Sequence, residues 1–462
     1  MTQHDPYYFV GIGGSGMAPL AEILLRQGQK VLGSDLNQNS RTQLLERLGA
    51  TVYAEHNSER LPQKVTVVRS SAVQDSNPEI AFAKNHGLKI LHRSDLLNTL
   101  MEKQTAITVA GTHGKTTTSA MVTWILEELD QDPSAVIGGI MCHSQQSSRC
   151  GQSNLFVAEA DESDGSFLKY QPDIAVITNI DADHLDHYGS LAHIQAAFQE
   201  HAHRVKPKGW LIYNADDTNS KVLRQSSLQT KTFGFKKEAD IWADQKTFDV
   251  HNGHMSIQLY TKDETALCSL PTVGLHNVQN ALAALCVAQC LGLDFKKSCQ
   301  ALALFPGTQR RLNQILKTDK AFVFDDYAHN PGKITAVVDA LKQAWPERHL
   351  HVIFQPHRYT RTESLWQEFS ESFQSADSVC ITPIYSAGEK PLPNITPANL
   401  TKAISEASET SVFEANSFDH IIKHTLKTAQ KSQKPFLCLT VGAGDLTSIC
   451  PKLSTTLKNE LK

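Results

Sequence analysis

Short apolar runs recur along the chain, each closing on glycines or charged residues, with longer stretches between them whose apolar positions lie three and four apart. Tyr7-Tyr8-Phe9-Val10, Val65-Thr66-Val67-Val68, Ala106-Ile107-Thr108-Val109, Leu155-Phe156-Val157-Ala158 and Ile174-Ala175-Val176-Ile177 are too short for helices and read as buried strands. The stretches 18–26, 119–129, 281–291 and 333–344 carry helical spacing; Met121, Val122, Ile125, Leu126 and Leu129 share one face. Continuous apolar strands alternating with helices predict an α/β protein with mainly parallel sheets, whose ligand crevices lie beyond the carboxyl ends of the strands. One region differs. Residues 231–270 read as antiparallel β with turns, and His251-Asn252-Gly253-His254 as a hairpin signal.

At 462 residues the chain suits about three domains. The pattern divides it into 1–103, a Rossmann-like domain; 104–306, a central domain with a phosphate-binding loop; and 307–462, a second Rossmann-like domain. Hydrophobic content of 40% and charged content of 20% suit folded domains with ample cores. A net charge of -4 supplies no bulk attraction to nucleic acid or to an anionic membrane. The nine cysteines form no C-x-x-C pair, so neither a zinc site nor a disulfide framework is signalled. No stretch is apolar enough to span a bilayer, and the first residues carry no leader pattern, so a cytoplasmic protein is expected.

The strongest chemical signal is Gly111-Thr112-His113-Gly114-Lys115-Thr116-Thr117, between a strand and a helix. Glycines let the backbone wrap an anion, and the helix start aims N–H groups at it. Lys115 can reach the β- and γ-phosphates of a nucleotide, and the Thr116 hydroxyl can hold Mg²⁺. The loop is one residue shorter than the usual G-x-x-x-x-G-K-[ST] form. Two acidic strand ends follow, Glu159-Ala160-Asp161-Glu162-Ser163-Asp164 and Asp181-Ala182-Asp183-His184, on the same sheet edge as the loop. A carboxylate there can share Mg²⁺ with Thr116, and a histidine can hold a second ion or orient a phosphate. Asp161, Asp164 and Asp183 suit helix N-caps, which leaves Glu159, first off its strand, as the better metal ligand.

Three weaker signals flank this one. Gly11-Ile12-Gly13-Gly14-Ser15-Gly16-Met17, with Asp35 ending the second strand, makes a Rossmann-like diphosphate turn, although its G-x-G-G-x-G spacing does not compel NAD and a packing turn is the plain alternative. Asn277 and Asn280 share a helix face and could read an adenine edge, or simply start the helix. Arg358 and Arg361 can clamp a carboxylate, or lie on the surface of a helix start.

Gly-Thr-His-Gly-Lys-Thr-Thr, Glu-Ala-Asp-Glu-Ser-Asp, His-Asn-x-x-Asn-Ala, Asp-Asp-Tyr-Ala-His and Gln-Pro-His-Arg-Tyr-Thr-Arg-Thr occur in that order. Together they resemble the Mur ligases of peptidoglycan synthesis over nearly the whole chain, with the alanine-adding branch as the best match. The resemblance implies an ADP-forming ligase that joins L-alanine to UDP-N-acetylmuramate through an acyl phosphate, using ATP and Mg²⁺. It implies that Gly111, Thr112, His113, Gly114, Lys115, Thr116 and Thr117 cradle the phosphates, that Thr116 and Glu159 hold one Mg²⁺, and that His184 serves the second ion or the acyl phosphate. Asn277 and Asn280 would hold adenine, with Arg311 near the nucleotide and Asp326 near its ribose. Tyr327, His329, Arg358 and Arg361 would take the amino acid. Gly13, Gly14, Ser15, Gly16, Met17, Asp35, Ser70 and Ser71 would surround UDP. Neither a nucleic-acid partner nor membrane insertion is implied, and a monomer or weak homodimer is expected.

Two departures from the alanine-adding pattern stand out. Asn330 occupies the place of an expected second histidine, which bears on the amino acid selected and not on the ligase chemistry. Residues 194–200 hold no lysine where sister ligases carry a carbamylated one, so no carbamate is expected. The alternatives are a murein-peptide ligase, with a roomier acceptor site, and a non-catalytic nucleotide-binding regulator.

Overall fold

The computed structural model describes residues 5–224, 228–251 and 253–461. Its first sheet contains β1 (Tyr7–Val10), β2 (Val31–Ser34), β3 (Thr51–Tyr53), β4 (Thr66–Arg69) and β5 (Lys89–His92), in the order β3-β2-β1-β4-β5 and parallel throughout. That is the expected Rossmann-like half. The order reverses beside β1, which places the glycine turn after β1 at the switch point where such sheets bind ligands.

The second sheet is built around β6 (Thr105–Ala110). Its other strands are β7 (Ser134–Val136), β8 (Ser148–Arg149), β9 (Leu155–Glu159), β10 (Ile174–Ile177), β11 (Trp210–Asn214), β12 (Gln229–Gly234), β13 (Ile241–Ala243), β14 (Asp249–His251), β15 (His254–Tyr260) and β16 (Thr265–Leu270). β6 runs parallel between β9 and β10. The glycine loop and both acidic strand ends therefore share one edge, as the apolar runs implied. The antiparallel reading of 231–270 needs correction. β12 pairs with β11, and β13 with β12, in parallel, and the reversal comes only with β15. A strand's alternation reports which face is buried, not which way its neighbour runs. β14 and β15 do form a hairpin, with His251 opposite His254; Asn252 lies outside the described residues.

The third sheet, β17 (Asn313–Lys317), β18 (Ala321–Asp326), β19 (His349–Phe354), β20 (Ser378–Ile381), β21 (Ser411–Glu414) and β22 (Phe436–Val441), has the order β17-β18-β22-β19-β20-β21. All its pairings are parallel except β17 with β18. β21 gives little sequence signal because none of its four residues is buried.

Helix starts also moved. The helix after the glycine loop spans Lys115–Glu128 and not 119–129, and the alanine-rich helix spans Leu275–Cys290 and not 281–291. In the first, Lys115 to Thr118, which read as loop, form the opening turn; in the second, Asn277 and Asn280, expected at the helix start, lie within its first two turns.

Two compact units result: Met1–Lys246 with Gln258–Cys268 and Gln279–Phe305, and Thr247–Ile257 with Ser269–Val278 and Pro306–Lys462. In the first unit one apolar core joins the first sheet to the second, taking in Phe9, Leu97, Val136, Phe156, Phe167 and Phe198. At about 1.5–3 kcal/mol for each large side chain buried, this core fixes the two sheets against each other. The second unit packs apolar layers on both faces of the third sheet. No helix among the described residues is long and apolar enough to cross a membrane.

Candidate active site

The chain leaves β6 at Ala110 and turns through Gly111 and Gly114, whose φ values of 131° and 83° are costly for any side chain. A Cβ on Gly111 would also sit 2.0 Å from Thr178 Oγ1. The loop is pinned by the strand end beside it. The Thr112 N–H donates to the Asn179 carbonyl at 3.0 Å, the His113 N–H to Asn179 Oδ1 at 2.9 Å, and Asn179 Nδ2 returns a bond to the His113 carbonyl at 3.0 Å. Thr178 Oγ1 donates to the same carbonyl. Gly114 sits at the N-cap of the helix that begins with Lys115, Thr116 and Thr117, a helix start of the kind that suits an anion.

Lys115 Nζ donates to the carbonyl of Gly111 at 2.7 Å and to Glu162 Oε1 at 2.9 Å, and forms an ion pair with Glu162 Oε2 at 2.7 Å. Burial, which disfavours the ammonium, is outweighed by the carboxylates of Glu162, Asp161 and Glu159, so Lys115 stands above its ordinary pKa and is charged. Burial pushes the Glu162 carboxyl up, against the pull of Lys115. Glu162 also lies 3.7 Å from His184 Nε2. It is a site residue that the strand-end argument did not single out.

Thr116 Oγ1 donates to Glu159 Oε1 at 3.1 Å, and the Gly138 N–H to Glu159 Oε2 at 2.7 Å. The expected metal pair is thus together, and a hydroxyl beside a carboxylate suits Mg²⁺, which binds through one or two carboxylates plus phosphate and water. Among the described residues no group of three or more His, Cys, Asp or Glu able to hold a metal occurs. His184 adopts a left-handed conformation and neighbours Glu162, not the Thr116–Glu159 pair. The expected caps are different in kind: Asp161 and Asp164 each accept from the backbone N–H two residues on, closing local turns, and Asp183 accepts from the N–H of His184.

On the first sheet a cavity of about 510 Å³ is lined by Gly14, Ser15, Gly16, Met17, Asp35 and Ser70, six of the residues expected around UDP. Gly13 lies behind it, its N–H donating to Asp35 Oδ2 at 2.8 Å. Ser71 turns to Asp164 at 2.9 Å and His92 at 3.0 Å. Glu159 borders the same cavity, as does Arg93, which the motifs did not reveal. Arg93 opens the helix after β5 and lies 3.5 Å from Asp164. It brings a cation to a cavity whose lining also holds the carboxylates of Asp35, Glu159 and Asp161.

Asn280 accepts from Thr118 Oγ1 at 3.2 Å and packs on Gly114, where a Cβ would meet its Oδ1 at 2.3 Å. Asn277, three residues earlier, donates to Thr272 Oγ1 and the Val273 carbonyl.

In the second unit, the end of β18 presents Asp326, Tyr327 and His329. Burial pushes the Asp326 carboxyl up, against Arg311 and the backbone N–H groups of Leu312 and Ala328, each 2.7 Å from one of its oxygens. A carboxylate so placed keeps further lone pairs for a ligand. Arg310 and Arg311 lie over the Tyr327 ring at 4.7 and 5.3 Å. His329 Nδ1 is 2.8 Å from the Tyr327 carbonyl, so that nitrogen carries the proton and Nε2 is the acceptor. Burial lowers the His329 pKa to about 3. Its ring lies 6.2 Å from that of His357, whose Nδ1 is 3.3 Å from Arg361. Arg358, at the start of the helix Tyr359–Ser364, holds φ 72° and ψ 134°, a backbone strain costing about 1–3 kcal/mol. Tyr327, His329, Arg358 and Arg361 thus cluster at the carboxyl ends of β18 and β19. Asn330 caps the helix Pro331–Ala344, accepting from the Lys333 N–H at 3.1 Å.

The chain matches three family models in succession: "Mur ligase family, catalytic domain" over residues 6–105, "Mur ligase middle domain" over 109–288 and "Mur ligase, glutamate ligase domain" over 310–444. It is 37% identical to the UDP-N-acetylmuramate–L-alanine ligase of Desulfatibacillum aliphaticivorans over 95% of this chain and 96% of that one. Among solved structures it resembles the UDP-N-acetylmuramate-alanine ligase of Thermotoga maritima, with a TM-score of 0.83 and 27% identity, covering 99% of this chain and all of the other. The murein peptide ligase of Psychrobacter arcticus gives a TM-score of 0.68 at 25% identity, covering 99% of both.

Proposed function

Because this chain belongs to the Mur ligase family, we propose that it is an ATP-dependent amide ligase joining L-alanine to UDP-N-acetylmuramate, an early cytoplasmic step of cell-wall peptidoglycan synthesis. One observation carries the mechanism. Glu159 borders the cavity formed by Ser15, Gly16 and Met17 and also bonds Thr116 of the glycine loop. This supports a reading in which the sugar nucleotide and the triphosphate meet at a common carboxylate.

A carboxylate is a poor acyl donor, so the γ-phosphoryl is transferred to the lactyl carboxylate of the sugar with ADP as the leaving group; the neutral amine of L-alanine then attacks the acyl phosphate, expelling phosphate and losing a proton to solvent to leave the amide. The protein's part is alignment and charge neutralisation. Gly111 to Thr117 wrap the phosphates, and Lys115 leaves Glu162 to follow the γ-phosphoryl. Thr116 and Glu159 would hold Mg²⁺, which supplies positive charge to the phosphoryl oxygens when bound. His184 serves a second ion or the acyl-phosphate oxygens. Asn277 and Asn280 hold adenine, with Arg311 and Asp326 on the nucleotide side. Gly13, Gly14, Ser15, Gly16, Met17, Asp35, Ser70 and Ser71 hold the UDP moiety. Arg358 and Arg361 pair with the alanine carboxylate beside Tyr327 and His329. The division of labour is 1–103 for the UDP-sugar, 104–306 for ATP and 307–462 for the amino acid, in a monomer or weak homodimer.

The test is phosphate release with ATP, Mg²⁺, UDP-N-acetylmuramate and a panel of acceptors. Release that requires both the sugar nucleotide and L-alanine is expected. Preference for a tripeptide acceptor would move the chain to the murein-peptide branch. ATP turnover indifferent to sugar and amine would make it a nucleotide-binding regulator.

A further inference from the structure

Arg358 is held from two sides by one short loop, residues 383–389. Its N–H donates to the Tyr385 carbonyl at 2.8 Å, and the Tyr385 N–H donates to the Pro356 carbonyl at 2.8 Å, a two-bond clasp across the strained backbone. The Tyr385 ring lies over His357 at 5.4 Å and 13°. Four residues on, the loop turns through Ala387 and Gly388, both with positive φ, and delivers Glu389 to the side chain it has just anchored. Arg358 Nε donates to Glu389 Oε1 at 2.7 Å; Thr360 adds its hydroxyl to the same oxygen at 2.7 Å and its N–H to Oε2 at 3.1 Å. Glu389 is mostly buried, whereas Arg358 is exposed on 44% of its side chain, so the carboxylate belongs to the wall and the guanidinium faces outward.

The bond uses Nε alone. The two terminal nitrogens, the fork that pairs end-on with a carboxylate, are left for another partner. An arginine on a flexible stem must lose rotamer freedom to form such a pair, and one already fixed in its plane loses less.

We propose that Glu389 is a positioning residue of the acceptor site: it fixes the plane of the Arg358 guanidinium so that its terminal nitrogens stand ready for the carboxylate of the incoming amino acid. The inference rests on the reading that Arg358 contacts that carboxylate. Burial, which would push the Glu389 carboxyl up, is outweighed by the Thr360 and Arg358 bonds, so the ion pair persists at neutral pH.

The experiment is steady-state kinetics of Glu389→Ala, Glu389→Gln and Arg358→Lys, varying each of the three substrates, with thermal unfolding alongside. Glu389→Ala should raise the KM for L-alanine about tenfold, equivalent to ~1.4 kcal/mol, with kcat and the KM values for ATP and UDP-N-acetylmuramate within about twofold. Glu389→Gln keeps an acceptor oxygen for Nε and should raise the same KM about threefold, which keeps the idea open to refutation should the alanine variant fold poorly. Arg358→Lys should raise it at least as far as Glu389→Ala. An unchanged alanine KM in both Glu389 variants, beside a raised one in Arg358→Lys, overturns the role of Glu389 alone. An unchanged alanine KM in Arg358→Lys overturns the acceptor reading of Arg358, and this inference with it. A parallel fall in Tm, kcat and affinity for all three substrates reduces Glu389 to a structural residue.

Discussion

Lys115 and Glu162 form an ion pair at the glycine loop, Nζ lying 2.7 Å from one carboxylate oxygen and 2.9 Å from the other, with both side chains largely withdrawn from water. The lysine expected to meet phosphates therefore rests on an internal anion. Replacing either partner alone leaves a buried charge uncompensated, a loss of about 3 kcal/mol. Lys115→Met should abolish phosphate release and lower stability in denaturant unfolding. Adding Glu162→Gln should restore most of that stability and none of the turnover. A double variant no more stable than Lys115→Met would show that the pair is not what holds this corner of the fold.

Gly111 tests the loop's shape without touching its charge. A methyl group there would meet Thr178 Oγ1 at 2.0 Å, on a backbone whose φ of 131° already disfavours a side chain. Gly111→Ala should cost about 1–3 kcal/mol and weaken ATP binding, read by calorimetric titration. Unaltered affinity would mean the loop tolerates a different path.

Arg93 bears on the sugar nucleotide. UDP-N-acetylmuramate should raise the thermal midpoint of the protein, as any ligand specific to the folded state does, and NAD should not. Arg93→Ala should shrink that rise and increase the KM for the UDP-sugar while leaving the KM for L-alanine unmoved. An equal rise in Arg93→Ala and in the unaltered protein would separate Arg93 from the ligand.

His201 sets a pH dependence. It is fully buried between the Phe167 carbonyl and Thr108, and burial lowers its pKa from 6.5 to about 4. The unfolded chain binds this proton more readily than the folded one. Stability is therefore complete above pH 6.5 and falls as the pH drops toward 4, by roughly 3 kcal/mol for a shift of this size. His201→Gln, which cannot titrate, should flatten the acid limb of a Tm-against-pH curve; an unaltered limb would assign the acid loss to other groups.

The parts of the site that could be read from residues alone are those that strand ends impose. Glu159 follows its apolar run directly, and Lys115 and Thr116 follow theirs across one short glycine loop, so knowing the strands places the side chains on one edge. Glu162 and Arg93 escape that logic. After Glu159 the Ser163 N–H donates to Asp161, and the turn so closed contains Glu162 and brings it to Lys115, a placement that no periodicity announces. Arg93 opens a helix after β5 with nothing around it to mark an anion site. The fold shows the same division. Parallel strands were legible from their continuous burial, whereas the direction of β12 and β13 and the exposed edge strand β21 depend on neighbours distant in sequence. The helix start at Lys115 was hidden because its first turn holds a run of threonines, which are poor helix formers, and the start at Leu275 because histidine and asparagines precede the alanine-rich run.

The amide of Asn179 grips His113 by its N–H and its carbonyl at once, and the Thr112 N–H is taken by the backbone of the same residue. The cradle is thus rigid before any triphosphate arrives. Its disorder was surrendered when the chain folded, so association draws almost nothing further from conformational freedom at this edge. Encounter with ATP should proceed in a single kinetic phase here, with whatever slow rearrangement the enzyme displays originating elsewhere.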